Sequence, residues 1–194
     1  MSSATRHDTD KRVVRTKKSI RASLFRLMET KAVSDITISE LTSEANVNRR
    51  TFYTHYRCIT DILDECENEL VSAIGALVQR FNTQDVVSAT EHLFLEFHNI
   101  VTNDFDYYFH LMKVDTRGVL LTRLKKLLRS YIDAVMSNQS GSIRLNTLSS
   151  AFIAGGLLNY YIEWYYSYQD TVPIQQAAVM AGKMVEACTK IKDI

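Results

Sequence analysis

Glycine and proline punctuate a polypeptide, and this chain of 194 residues holds six of the first and a single example of the second, Pro173. Sheet-rich folds need turns bearing such residues about every 8–12 positions. With so few available, the chain is restricted to helices joined by short connections. The fold class expected is all-α, with about nine helices.

Apolar residues at 46% against 23% charged suit a packed globular chain and argue against disorder. Cys58, Cys66 and Cys188 form an odd set without a CxxC pair. No secretory leader is read, so a reducing, cytoplasmic setting is expected. The uncharged run from Leu145 to Ile162 is long enough to span a bilayer. It carries Asn146, Thr147, Ser149, Ser150 and Asn159, which suit a helix buried in protein, and no membrane segment is expected.

The formal net charge of +1 conceals an asymmetry. Residues 1–57 carry twelve basic against six acidic groups, a net of +6, and the remainder a net of −5. A clustered positive field is what attraction to phosphates requires, so the division suggests a polyanion-binding head on an acidic body. Residues 1–10 lack periodicity and are expected to form a flexible arm, residues 11–57 the head, and 58–194 the body.

Within the head, Val14, Ile20, Leu24, Leu27 and Met28 recur at helical spacing with Lys17, Lys18, Arg21 and Arg26 between them, predicting a helix with a basic outer face. Thr37-Ile38-Ser39-Glu40 has capping-box form and predicts a short helix starting at Ile38. Asn46 tolerates the left-handed backbone of a tight turn, and Asn48 is a strong N-cap for a further helix from Arg49 to about His55. Two short helices across a three-residue turn make a helix-turn-helix pattern, whose second member reads the major groove of double-stranded DNA. Arg49, Arg50 and Thr51 fall in the first turn of that helix, where side chains meet base edges. Tyr53 and His55 lie further on, suited to phosphates, while Val47, Phe52 and Tyr56 supply the packing face.

The run Ile38-Ser39-Glu40-Leu41 through Ala45-Asn46-Val47-Asn48-Arg49-Arg50-Thr51-Phe52-Tyr53-Thr54-His55-Tyr56 resembles the DNA-binding signature of the TetR/AcrR family of one-component regulators. Phe152 to Leu158 followed by Trp164 is more loosely similar to the C-terminal region of a subgroup that includes activators of dihydroxyacetone metabolism. The resemblance implies a three-helix head with a linking fourth helix, and DNA contacts from Thr37, Asn48, Arg49, Arg50, Thr51, Tyr53, His55 and Arg57. Two departures stand out. Asn46 occupies the turn position where the family usually has Gly. Ile59 stands where a phosphate-holding Lys is usual, a role that Arg57, Thr60 or the helix-start amides can take.

In the body, Ile62, Leu63, Cys66, Leu70, Ile74, Leu77, Val78 and Phe81 predict a long amphipathic helix, and further helices are expected at about 84–102, 104–111 and 116–137. Helix 145–168 is apolar almost all round and needs cover on two sides. Together with helix 174–191 it predicts a homodimer contact, the arrangement the resemblance also implies. Eight of the ten tyrosines lie between 107 and 168, near Phe94, Phe97, Phe105, Phe109 and Trp164. They line either a cavity for a small-molecule effector or plain core. His98, Tyr108, Phe109 and Trp164 are the candidate ligand contacts.

His92 and Glu96 are spaced to share a metal, with His98 or His110 as the residues that could join them, but without a third ligand on the same face neither a metal nor a cofactor is expected. No phosphate loop, GxSxG or HExxH motif supports an enzyme. The leading expectation is a dimeric DNA-binding repressor relieved by an effector. The alternatives are an activator working through a protein partner and a small-molecule-binding helical protein without DNA function.

Overall fold

The computed structural model describes residues 3–80, 85–103, 119–136 and 143–190. Among these it contains eight α-helices and no strand. Helix α1 spans Ser3–Met28, a 3-10 turn Val33–Asp35, α2 Ile38–Glu44, α3 Arg49–Tyr53 and α4 Ile59–Arg80. The second half holds α5 Val86–Asn103, α6 Val119–Met136, α7 Ile143–Glu163 and α8 Ile174–Thr189. The helix expected at 104–111 lies outside the described residues.

Helix α1 corrects two expectations. It begins at Ser3 instead of near residue 11, because no Gly or Pro interrupts residues 3–28 and the ladder continues through polar sequence. Val14 is 65% exposed, since the buried face of α1 starts only at Ile20 and continues through Leu24, Phe25 and Met28. These side chains meet Ile36, Leu41, Ala45, Phe52 and Tyr56 in an apolar core that extends without interruption into α4 through Ile62, Cys66 and Leu70.

The buried stripe of α4 follows the expected pattern through Val78. Asp85 opens α5, its carboxylate accepting from the amides of Val87 (3.1 Å) and Ser88 (3.2 Å). Helix α5 packs closely along α8, and α6 along α7. Gly182 permits the first approach: a Cβ there would stand 2.7 Å from the carbonyl oxygen of Val87. The expected helix 145–168 changes winding near its end. Residues Trp164–Tyr168 form a π-helical turn, and the Trp164 indole donates to the Val172 carbonyl at 2.9 Å, tying the turn to the loop before Pro173.

Candidate nucleic-acid interface

The helix-turn-helix is built by local hydrogen bonds. The Thr37 hydroxyl accepts from the Glu40 amide at 3.1 Å and starts α2. Asn46 takes φ 52°, the left-handed conformation that its short polar side chain tolerates, and turns the chain. The Val47 amide then reaches back to the Thr42 carbonyl at 2.9 Å. Asn48 caps α3 by accepting from the Arg50 amide at 2.8 Å. Both expected caps and the expected turn are therefore formed.

With Phe52 fully buried and Tyr56 at 4% exposure, the opposite face of α3 is held outward. Arg49 and Arg50 are exposed at its N-terminal end and make no ion pair among the described residues. Tyr53 is half exposed and stands edge-on to Phe52, ring centroids 5.5 Å apart. Helix α3 ends at Tyr53, so His55 lies just beyond it, not in its last turn as expected. The early stop follows from Thr54, whose amide and hydroxyl both turn back to the Thr51 carbonyl.

Asn48, Arg50, Thr51, Thr54 and His55 share a groove of about 680 Å³ with Arg12, Val13 and Thr16 of α1. Two cations, a histidine and three hydroxyls facing one open groove suit a phosphate backbone. Thr16 and Thr54 were not legible as contacts, although Arg12 and Thr16 are four residues apart and so share a helix face. Thr37, Arg49, Tyr53 and Arg57 do not line this groove.

Arg57 lies with His55 and Tyr56 on a second groove, where Asp61, Asp64, Glu65 and Glu69 of α4 make the lining acidic. Its amide and Nε both donate to Asp61, at 2.8 and 3.3 Å. The Arg57 amide, followed by Cys58, holds the Asp61 carboxyl below its ordinary range. The Arg57 side chain stays 92% exposed and able to reach outward. Ile59 begins α4, and Thr60 at that end exchanges a contact with the Cys58 thiol at 3.0 Å.

Head and α4 are joined by a polar cluster. Glu65 receives Lys17 at 2.6 Å, Arg21 at 2.9 Å and the Tyr56 hydroxyl at 2.6 Å. Arg21 also forks onto Glu69 with bonds of 2.6 and 2.7 Å. Burial alone would push the Glu65 carboxyl up, but the bonds from Lys17, Tyr56 and Arg21 outweigh it and hold the group down at about 2. Burial, with the bond to Glu65, raises the Tyr56 phenol well above its usual range. Beside them the Cys66 thiol is pushed up to about 12, chiefly by burial, which makes it an inert packing group.

In the body, two of the four candidate ligand contacts meet. His98 Nδ1 is 3.1 Å from the Tyr161 hydroxyl, and its ring lies 5.3 Å from that of Trp164. Burial lowers the His98 pKa and raises that of Tyr161. Tyr108 and Phe109 lie outside the described residues. The space between Leu93, Phe94, Phe97, Leu128, Leu157, Leu158 and Tyr161 is about 20 Å³, room for a single water, and its exposed lining is apolar. Among the described residues no three metal-binding side chains cluster, and His110 lies outside the described residues. No described helix is long and apolar enough to cross a membrane.

Helices α7 and α8 leave an apolar face uncovered. Leu148 is 69% and Phe152 74% exposed, with Met180 and Met184 of α8 also about half exposed. Gly155 and Gly156 on α7 have open space where a Cβ would project.

No family model matches the sequence, and no curated protein is a significant match. The whole architecture is similar to the crystal structure of Thermus thermophilus FadR, a TetR-family transcriptional repressor in complex with lauroyl-CoA. The TM-score is 0.56 at 14% identity, and the match covers 92% of this chain and 97% of that one. The likeness is one of fold: this chain shares the all-α architecture of that structure.

Proposed function

We propose that this protein is a sequence-specific DNA-binding transcriptional regulator, a homodimeric repressor relieved by a small-molecule effector, and not an enzyme. The observation that carries the reading is α3, a five-residue helix capped by Asn48 that exposes Arg49 and Arg50 at its N-terminal end beside a groove shared with Arg12 and Thr16. Arginine forks pair bidentately with guanine, and the neighbouring groove suits the flanking phosphate. Residues 11–57 act as the reader and 58–194 as the sensing and dimerising body. Two readers held by one symmetric body address two half-sites about 34–36 Å apart.

The likeness to a repressor bound to lauroyl-CoA supports an effector site in the body. His98 and Trp164 belong to its aromatic wall in this reading. Selection of bound sequences from random duplex DNA with the purified protein, followed by footprinting, tests the proposal. Recovery of a two-fold symmetric motif is expected, and recovery of unenriched sequence would overturn it.

A further inference from the structure

We infer that Glu65 is a positioning residue for DNA reading: through Tyr56, Lys17 and Arg21 it sets the angle at which the reading element leaves α4. The inference rests on the function proposed above and deepens it.

The argument begins with where the three donors come from. Lys17 and Arg21 are four residues apart on α1, while Tyr56 follows α3 by three residues. Two separate parts of the head therefore converge on one carboxylate of the helix that leads into the body. Glu65 Oε1 takes Lys17, and Oε2 takes both Tyr56 and Arg21. The Lys17 ammonium also lies 5.3 Å from the centre of the Tyr56 ring, so the donors hold one another in place. Tyr56 in turn packs on Phe52 of the recognition helix, centroids 5.9 Å apart. A shift at Glu65 is thus passed by one hydrogen bond and one ring contact to α3.

The surrounding apolar core cannot fix this angle by itself. Ile20, Leu24, Ile62 and Cys66 are fully buried, but apolar attraction is non-directional and lets packed helices slide. Hydrogen bonds weaken steeply with distance and misalignment, and bonds to an ionised acceptor are the stronger class. A carboxylate held from three directions permits one arrangement of α1, Tyr56 and α4. Displacement of α4 along its axis breaks at least one bond and leaves a half-buried charge short of a partner.

Two variants test this. Tyr56→Phe deletes one hydroxyl and keeps the ring, and Glu65→Gln keeps the shape and removes the charge. Each is measured for affinity to the selected operator well below its melting temperature. Each is also measured for the distance distribution between spin labels at Glu29→Cys and Ser72→Cys, in a Cys58→Ser, Cys188→Ser background diluted with unlabelled chain. Both variants are expected to lose about tenfold in operator affinity, the scale of one charge-assisted hydrogen bond, and to broaden the distance distribution. Lys17→Arg, which retains charge and donors, is expected to keep both near the parent.

If affinity and distances match the parent while only the melting temperature falls, the cluster is merely stabilising and the inference is overturned. Should the parent select no DNA sequence, the DNA-reading proposal fails. The distance measurement then decides the joint alone, with broadening supporting it and superimposed distributions overturning it. If Glu65→Gln does not fold, Tyr56→Phe decides by the same two measurements.

Discussion

The Tyr56 hydroxyl donates to the Glu65 carboxylate at 2.6 Å across nine residues of sequence, joining the segment that follows α3 to the first turns of α4. Lys17 and Arg21 complete the shell of this charged acceptor. The helix-turn-helix and α4 are therefore connected by specific polar chemistry as well as by core packing.

That shell predicts a pH effect on stability. The Glu65 carboxyl sits at about 2 against an ordinary 4.5, so the folded state holds it ionised where the unfolded chain would protonate it. A depressed carboxylate contributes stability that is full above the unfolded value and is lost as pH falls from about 4.5 toward 2. With the group partly exposed, the contribution is on the order of 2 kcal/mol after allowance for solvent screening. Urea unfolding at pH 7, 5 and 3 should show the gap between parent and Glu65→Gln little changed from pH 7 to 5 and narrowed at pH 3. A constant gap would mean that the carboxylate charge is not what holds the cluster.

Sequence selection is expected to rest on Arg49 and Arg50. Replacing both with Ala should remove preference for the selected operator, at about 1–3 kcal/mol for each bidentate base contact, while the helical circular dichroism stays unchanged. Both side chains are exposed, so their loss leaves the core untouched. Unaltered selectivity in the double variant would move the reading role elsewhere on the head.

Arg12 should behave differently. It lines the groove from α1 with Thr16, and in the proposed reading it contacts phosphate while the first turn of α3 meets base edges. Arg12→Ala is expected to weaken specific and random DNA alike and to reduce the slope of log affinity against log salt by about 1. Fluorescence anisotropy at a series of salt concentrations measures both. A loss confined to the specific sequence would assign Arg12 to base reading.

Asn46 allows a test of the turn. At φ 52° a β-branched side chain is strained, so Asn46→Val should cost on the order of 1–2 kcal/mol in thermal unfolding, whereas Asn46→Gly should be nearly neutral. Equal stability of the two variants would show that the turn relaxes to another conformation.

This turn and the two caps were readable because each depends on partners two to five residues away: Thr37 with Glu40, Asn48 with Arg50, Val47 with Thr42. Local chemistry of that kind is written into consecutive residues. The Glu65 cluster was not readable as a joint. Lys17 and Arg21 form one i,i+4 ladder and Glu65 and Glu69 another, but only tertiary packing decides that two ladders 48 residues apart face each other. The π turn at Trp164 is similar, since the bond from its indole to Val172 competes with regular α-helical winding at a place where periodicity shows none of it. The start of α1 was missed for the opposite reason. The sequence of residues 3–10 has no apolar periodicity that a pattern could detect, yet contains nothing that breaks a helix.

The uncovered face of α7 and α8 yields the last prediction. Phe152 at 74% exposure and Leu148 at 69% stand in line with Gly155 and Gly156, whose missing side chains let another helix approach closely. Met180 and Met184 of α8 are also about half exposed, and flexible thioether side chains adapt to a facing copy. Apolar groups of this size beside backbone glycines suit an isologous contact, in which the patch meets itself about a two-fold axis. Sedimentation equilibrium at about 10 µM is expected to give a dimer, a concentration that a standard-sized interface easily satisfies. Phe152→Glu places a charge at the centre of the patch and should give a folded monomer. That monomer should also bind a two-half-site operator at least about 100-fold more weakly, because the second reader is no longer tethered to the first. A parent that sediments as a monomer at this concentration would refute the dimer, and a Phe152→Glu variant that remains dimeric would place the contact on another face.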